Sequence, residues 1–375
     1  MPLSEQIEQL AAFEPTPLPV ISLYLNTQPD QHGRANYDSF VRKEFSARAQ
    51  TYPLRSPERE SFERDAERIT AYLADELRPS ANGLAIFACA GADDFFEALQ
   101  LDAPIDEHKL YVYHQPHLYP LARVNDQYPR YAVLVVDTNA ARLFVFGMGE
   151  RLGKEGVKNT KVSRTSVGGW SQARYQRHVR NYHLHHAKEV VDVLERVVRD
   201  EHIQHIVLAG DEVIIPTLTR QLPQHLAERV IDVVRLDITT PEHEVLETTL
   251  AALREQDARD DTEKVARLLD AYRAGGLGVV GIHDTLLALT NHQVDEVVIS
   301  AALDELHAGM EEVGALLAPA APPNDASNDD ATRTVKVADE LVTQALQSGA
   351  TVTFIEDPDL LIDVGGVGAL LRYRL

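Results

Sequence analysis

The chain has 375 residues, with 58 acidic and 36 basic side chains and a net charge of −22 near neutral pH. This charge argues against general affinity for nucleic acids or membranes, although it allows a local patch of opposite sign. A hydrophobic content of 44% is sufficient for packed cores, and no apolar run approaches the roughly 18 residues that a membrane span requires.

Residues 1–128 are predicted to form an N-terminal domain. A short amphipathic helix precedes residues 20–26, where apolar and polar side chains alternate as in a strand. Helical stretches interrupted by prolines follow, and apolar runs at 81–91 and 109–124 predict two more strands. Cys89 lies in the first of these runs and is predicted to be a buried core residue.

Residues 129–238 are predicted to form a middle domain. Two apolar strands are joined by a turn at 137–139, and a polar, basic stretch then leads to a long helix. Apolar residues recur in that helix at steps of three or four: Leu184, Ala187, Val191, Leu194 and Val198. A strand, a helix and a further strand complete the segment, and this alternation indicates an α/β layer structure.

Residues 239–375 are predicted to form a C-terminal domain. One helix begins near Thr239 and Pro241, and a second ends at Gly275–Gly276. Strands and helices then alternate, except for a polar, proline-rich stretch near 318–334 that is predicted to be a disordered insertion. The sequence therefore predicts an α/β fold of three domains, each a mixed sheet with packed helices.

The cellular compartment is predicted from the single thiol and from the first residues. One cysteine cannot form an internal disulfide or a cysteine zinc site, which fits a reducing compartment. The first residues lack the basic start and apolar core of a signal peptide. We expect a cytoplasmic protein.

The basic residues are concentrated in one segment, residues 151–190. It holds nine lysine and arginine residues against two glutamates, a net charge of +7 in a chain of −22. Clustered cations bind phosphates through counterion release, so the segment predicts a localised contact with a polyanion. A solvated helix face with loop charges is the alternative.

Gly168–Gly169, inside the segment, permits either a close approach of the backbone to a partner or an ordinary turn before a helix.

Motifs along nearly the whole chain resemble the archaeal and eukaryotic class-one peptide-release factors, in particular the divergent bacterial branch of that superfamily, which includes Pelota-like proteins. The N-terminal segment carries PVISLYLNTQPD and ANGLAIFACAG, and the middle segment carries YAVLVVD, the glycine pair with its arginine helix, and IQHIVLAGD. The C-terminal segment carries GGLGVVGIHDTLLALTNHQVDEVVIS and LVTQALQSGATVTFIED. The resemblance implies a release-factor-like arrangement of the three domains.

The resemblance also implies which residues form the site. The family's Gly-Gly-Gln loop enters the ribosomal peptidyl-transferase centre and promotes attack of water on the ester of peptidyl-tRNA. Gly168 and Gly169 match its glycines, but Trp170 occupies the glutamine position, and Gln172 would have to serve after a change of register. The implied catalytic residues are thus Gly168, Gly169 and Gln172, and the implied RNA-binding residues are Arg164, Trp170, Ser171, Arg174, Tyr175, Arg177 and Arg180.

The resemblance implies rescue of stalled ribosomes by peptidyl-tRNA hydrolysis, with ribosomal RNA and tRNA as partners and a translational GTPase as a further one. Neither of the family's stop-codon elements is present, and Tyr113 and His114 lie where one of them would be, so decoding is not expected. A non-catalytic dormancy (hibernation) factor that occupies idle ribosomes and a generic RNA-binding stress protein stay open as alternatives. We expect no DNA or membrane partner and no cofactor.

Three other motifs resemble functional sites only in part. Gly169-x-Ser171-x-Ala173 resembles a nucleophile elbow but follows a polar stretch rather than a buried strand. The four histidines at 178, 183, 185 and 186 are expected on solvated or RNA-facing positions rather than around a metal ion. The spacing of Gly276, Gly278 and Gly281 matches a dinucleotide fingerprint only formally, and a helix cap with a turn is expected there.

Overall fold

The computed structural model describes residues 3–29, 37–147, 150–158, 172–302, 306 and 330–374. Three sheets with packed helices confirm the predicted α/β class. The chain divides into two compact units, Met1–Gln127 with Asp260–Leu375 and Tyr128–Arg259. The first unit is therefore discontinuous in sequence. The division into three domains after residues 128 and 238 stays a prediction.

The N-terminal part of the first unit contains one four-stranded sheet with the order β3-β2-β1-β4. Its elements are α1 (Leu3–Ala11), β1 (Val20–Asn26), α2 (Tyr37–Thr51), α3 (Pro57–Asp75), β2 (Gly83–Cys89), β3 (Phe95–Leu101), β4 (Lys109–Tyr113) and α4 (Tyr119–Gln127). The helices α2 and α3 contribute Val41, Phe45, Phe62 and Ile69 to its core. Cys89 is fully buried, as predicted.

This sheet differs from the expectation in two respects. All of its strand pairs are antiparallel rather than mixed, and β2 and β3 are joined by a short turn, which imposes antiparallel pairing. The predicted strand at 109–124 ends at Tyr113, and α4 follows. Pro120 is compatible with that helix because a proline in the first turn removes an amide that would have no partner there.

The second unit contains a mixed five-stranded sheet with the order β7-β6-β5-β8-β9. Its elements are β5 (Tyr131–Val136), β6 (Ala140–Gly147), β7 (Glu150–Lys158), α5 (Gln172–Asp200), β8 (His205–Gly210), α6 (Ile215–Thr219), α7 (Gln224–Ala227) and β9 (Val230–Val234). The predicted turn between β5 and β6 is confirmed. Asp137 closes it, because its Oδ1 accepts the amides of Asn139 at 2.7 Å and Ala140 at 2.6 Å.

The C-terminal part of the first unit contains a mixed sheet with the order β10-β13-β11-β12. Its elements are the end of α8 (Glu242–Arg273), then β10 (Gly278–Val280), α9 (Ile282–Thr290), β11 (Val294–Ser300), α10 (Asp330–Gln347), β12 (Thr351–Ile355) and β13 (Val367–Leu371). The boundary between the two units falls inside α8. No helix in the described residues is long and apolar enough to span a membrane.

The helix α8 is continuous, so the prediction of two helices here is wrong. The polar stretch at 254–263 contains neither glycine nor proline, and its arginine, glutamate and glutamine residues favour the helix. The helix ends as predicted, because Gly275 adopts a φ of 62° and the amide of Gly276 bonds the Ala271 carbonyl. Most of the predicted insertion near 318–334 lies outside the described residues, but residues 330–334 belong to α10.

Candidate functional site

The predicted site falls between β7 and α5 in the second unit. Five of its residues lie outside the described residues: Arg164, Gly168, Gly169, Trp170 and Ser171. The others belong to the N-terminal half of α5, which begins at Gln172: Gln172, Arg174, Tyr175, Arg177 and Arg180. The structure therefore places the glutamine candidate at the first helical residue, directly after the segment that holds the glycine pair.

The C-terminal half of α5 attaches this helix to the sheet. Ala187, Val190, Leu194 and Val198 are buried against apolar side chains of β5, β6 and β8. A helix rises about 1.5 Å per residue, so Gln172 lies about 22 Å along the axis from Ala187. The anchoring residues and the candidate RNA-binding residues thus occupy different halves of one helix.

The charge at the start of α5 is unusual for a helix. The positive end of a helix dipole normally favours acidic residues in the first turn, but α5 has none there, and Arg174 is its third residue. Arg177 and Arg180 follow at intervals of three residues. The helix dipole and these arginines have the same sign, which opposes helix stability but favours a bound anion.

The strand β7 extends the basic segment on the other side of residues 159–171. It is an edge strand, with Lys154 in register with Phe144 and Lys158 in register with Ala140. The sequence did not predict this strand, because Gly153 and Gly156 interrupt the alternation that would have indicated it. Basic residues therefore occupy the elements on both sides of the glycine-containing segment.

The histidines of α5 do not all lie where they were expected. His185 is exposed, as predicted, but His186 is only 1% exposed. The expectation for His186 is wrong because it precedes Ala187 and lies four residues before Val190, on the helix side that packs on the sheet. Among the described residues, none of these histidines belongs to a cluster with the spacing of a metal site.

The predicted site lies within a segment that matches a known protein family. The sequence model of the Bacterial archaeo-eukaryotic release factor family 10 matches residues 116–254. This match confirms the predicted resemblance over that part of the chain. The matched residues include almost all of the second unit and the whole predicted site, from Arg164 to Arg180.

Several solved structures are similar at low identity. The archaeal translation termination factor aRF1 is 17% identical, over 99% of this chain and 97% of that chain, with a TM-score of 0.27. Pelota from Archaeoglobus fulgidus is 15% identical over 80% and 82%, with a TM-score of 0.34. Dom34 from S. cerevisiae is 8% identical over 78% and 79%, with a TM-score of 0.43. No curated protein matches the chain.

Proposed function

We propose that this protein is a ribosome-associated translation factor that hydrolyses peptidyl-tRNA and thereby rescues stalled ribosomes. The observation that carries the proposal is the family match over residues 116–254, within which Gly168–Gly169 is separated by two residues from a helix with three regularly spaced arginines. The partners are the tRNA acceptor end and ribosomal RNA near the peptidyl-transferase centre.

Electrostatics supports a local contact with RNA. Residues 151–190 carry a net charge of +7, whereas the chain as a whole carries −22. The acidic remainder repels a polyanion, so RNA is bound productively only where the basic segment faces it. Each phosphate that a lysine or arginine neutralises releases counterions, which makes the contact strongly dependent on salt.

The attachment of α5 supports insertion into a narrow site. Its buried half fixes the helix to the sheet through Ala187, Leu194 and Val198, so the other half is supported about 22 Å from that anchor. Gly168 and Gly169 lack side chains, which allows the backbone to approach the tRNA end closely. The Arg174, Arg177 and Arg180 positions then supply cations for RNA phosphates.

The chemistry requires few side chains. Water attacks the ester carbonyl that joins the peptide to tRNA, and negative charge develops on the carbonyl oxygen. The ester C–O bond then breaks, which releases the peptide as its carboxylic acid and the tRNA ribose oxygen as a hydroxyl that carries the proton from water. One preorganised donor at that oxygen typically accelerates such a step by about 10² to 10³. A backbone amide of the glycine segment or the Gln172 carboxamide would supply it. Gln172 is the first residue of α5, where the helix amides have no partner within the helix, so freeing it from the helix costs little.

One observation favours a non-catalytic alternative. Trp170 occupies the position that the resemblance assigns to the catalytic glutamine, and Gln172 has helical backbone in the structure. A protein of this type that binds without hydrolysis would occupy the tRNA site of idle ribosomes as a dormancy factor. The two functions differ in peptide release and agree in ribosome binding.

A release assay distinguishes them. Purified protein is mixed with ribosomes that carry labelled peptidyl-tRNA, and free peptide is measured over time. We expect release by the wild type and a loss of about 100-fold or more in Gly169→Ala and Gln172→Ala. Gln176→Ala, which removes the same side chain one helical turn later, is the matched control and should retain release. Ribosome binding without release by the wild type would establish the dormancy function instead.

A binding assay tests the role of the arginines. The triple variant Arg174→Ala, Arg177→Ala, Arg180→Ala should co-sediment with ribosomes less well than the wild type and should show a shallower dependence on salt. Arg199→Ala removes a cation near the other end of α5, where the side chain pairs with Asp200, and should bind normally. If all of these variants bind alike, the basic segment is not the ribosome contact.

A further inference from the structure

The short helix α4 belongs to the N-terminal part of the first unit, yet both of its ends are bonded to the C-terminal part. The residues that meet at its start, Leu118 and Asp339, are 221 positions apart in the chain. Those that meet at its end, Asp126 and Phe354, are 228 positions apart. These contacts lie within one compact unit and do not involve the basic segment at 151–190.

At the start of α4, a carboxylate from α10 acts as a helix cap. Asp339 Oδ1 accepts the amides of Leu118 at 2.6 Å and Tyr119 at 3.1 Å. Amides at a helix start have no partner within the helix, so this acceptor replaces the usual capping side chain of the same helix. Asp339 is 5% exposed, so bulk water competes little for these amides.

His117, two residues before this helix, joins the cap to the N-terminal sheet. The amide of His117 donates to Ser22 Oγ at 2.9 Å, and its carbonyl accepts the hydroxyl of Tyr24 at 2.6 Å. The His117 ring packs against Tyr111 with centroids 3.8 Å apart and ring planes tilted by 39°, and Nδ1 lies 3.2 Å from Asp339 Oδ1, outside hydrogen-bond geometry. Strand β1 and helix α10 are thus connected through residues 117–119.

At the end of α4, the contacts run in both directions, with one acceptor on the helix and one on the C-terminal part. Asp126 Oδ2 accepts the amide of Phe354 at 2.9 Å, and Glu356 accepts Arg123 at 3.0 Å and Gln127 at 2.7 Å. Phe354 belongs to β12, an edge strand of the C-terminal sheet. An unpaired edge amide is a site for unwanted strand pairing, and α4 covers this one.

We infer that α4 is a clasp that makes the described parts of residues 3–127 and 260–374 open and close as a single cooperative unit. The helix is short, and its two ends are bonded to α10 and β12. Breaking the bonds at one end therefore leaves the helix held at the other end only, where the remaining bonds are weakened. Tyr119 strengthens the coupling, since its ring packs edge-on against Phe354 with centroids 5.2 Å apart and its hydroxyl bonds the Ser300 carbonyl at 3.2 Å. The N-terminal sheet therefore depends on residues more than 200 positions later in the chain.

Amide hydrogen exchange of the full chain, followed by mass spectrometry, tests the clasp. Asp339→Ala removes the acceptor at one end of α4, and Asp126→Ala removes the acceptor at the other end. We expect each variant to accelerate exchange by about 10- to 100-fold at both ends, in peptides that cover 118–122 and 351–356, because bonds to a carboxylate are lost, buried at Asp339 and part-buried at Asp126, and one opening exposes both ends. Exchange in β5 and β8 of the other unit should not change.

Glu340→Gln is the matched control, since it removes one negative charge next to Asp339 and its carboxylate bonds Gln344 within α10. It should exchange like the wild type. If each alanine variant affects only its own end of α4, the two contacts are independent and the clasp is refuted. Should Asp339→Ala not fold, Asp339→Asn retains an acceptor oxygen and must show the same two-ended pattern with a smaller increase, and a one-ended pattern would again refute it.

Discussion

The two compact units are stabilised by different kinds of contact. In residues 128–259, both faces of the sheet are covered by apolar side chains, from α5 on one face and from the start of α8 on the other. In the discontinuous unit, the N-terminal and C-terminal parts each have an apolar core, and they are also joined through carboxylates: the buried Asp339, the half-buried Asp126 and the exposed Glu356. We therefore expect the stability of the second unit to depend mainly on side-chain volume. The stability of the first unit should depend also on charge and pH.

The largest effect is expected at Gly210, where two parallel strands of the second unit end. Gly210 has a φ of 151°, and a Cβ there would overlap the Val136 carbonyl oxygen of the neighbouring strand. Gly210→Ala should lower the free energy of unfolding by about 4 kcal/mol, since backbone strain and overpacking add. Chemical denaturation measures this loss.

A second glycine, Gly275, separates the effect of steric crowding from that of backbone strain. Gly275 also has a positive φ, of 62°, but a Cβ there would contact nothing within 4 Å. Gly275→Ala should therefore cost only about 1 to 2 kcal/mol. Equal losses in the two variants would show that the close approach of β5 and β8 does not matter.

A cavity in the anchor of α5 should have the next largest effect. Leu194 is fully buried against the sheet, and Leu194→Ala should lower the free energy of unfolding by about 3 kcal/mol at every pH between about 5 and 8. Leu287→Ala, on the half-exposed face of α9, is the control and should change it by less than about 1 kcal/mol. A Leu194→Ala loss that varies strongly with pH would contradict an apolar anchor.

A pH-dependent effect is expected in the first unit. Burial raises the pKa of Asp65 to about 6, against the opposing effects of the Ala90 amide, Arg68 and Arg64. The folded state then holds the proton more tightly than the unfolded chain, so this stabilising contribution is complete below about pH 4 and is lost as the pH rises through about 6. In the described residues, the other carboxyl with a raised pKa, Asp261, belongs to the same unit.

The variant Asp65→Asn isolates this contribution. Between about pH 4 and pH 7, the difference in unfolding free energy between wild type and variant should move by about 1 to 2 kcal/mol in favour of the variant, since one pKa unit corresponds to about 1.4 kcal/mol. Denaturation at a series of pH values measures the difference. Asp363→Asn, at an exposed position, is the control, and a constant Asp65→Asn difference would show that this carboxyl does not titrate in that range.

The smallest effect is expected at the partly exposed end of α4. Arg123 reaches Glu356 through Nε at 3.3 Å and Nη2 at 3.0 Å, a two-point contact that a lysine cannot reproduce. Arg123→Lys should lower the free energy of unfolding by about 0.5 kcal/mol, and added salt should reduce that loss. A loss above about 2 kcal/mol would mean that this ion pair, rather than Asp339, dominates the junction.

The local sequence pattern was sufficient to predict most helices and strands. The apolar steps from Leu184 to Val198 predicted α5, and the turn residue Asp137 predicted the hairpin of β5 and β6, because these signals depend on neighbours in the chain. The strand β7 was missed, since its glycines conceal the alternation. The two predicted helices at 239–276 proved to be one, because a polar stretch without glycine or proline does not by itself end a helix.

The sequence alone determined the α/β class, the buried position of Cys89, the basic segment at 151–190 and the resemblance that the family match later confirmed over residues 116–254. Only the tertiary structure decided that residues near the two ends of the chain form one unit, that His186 is buried and that Asp339 caps α4. The physical reason is that periodicity and charge are written in consecutive residues, whereas a hydrogen bond between positions 118 and 339 depends on where two distant elements meet.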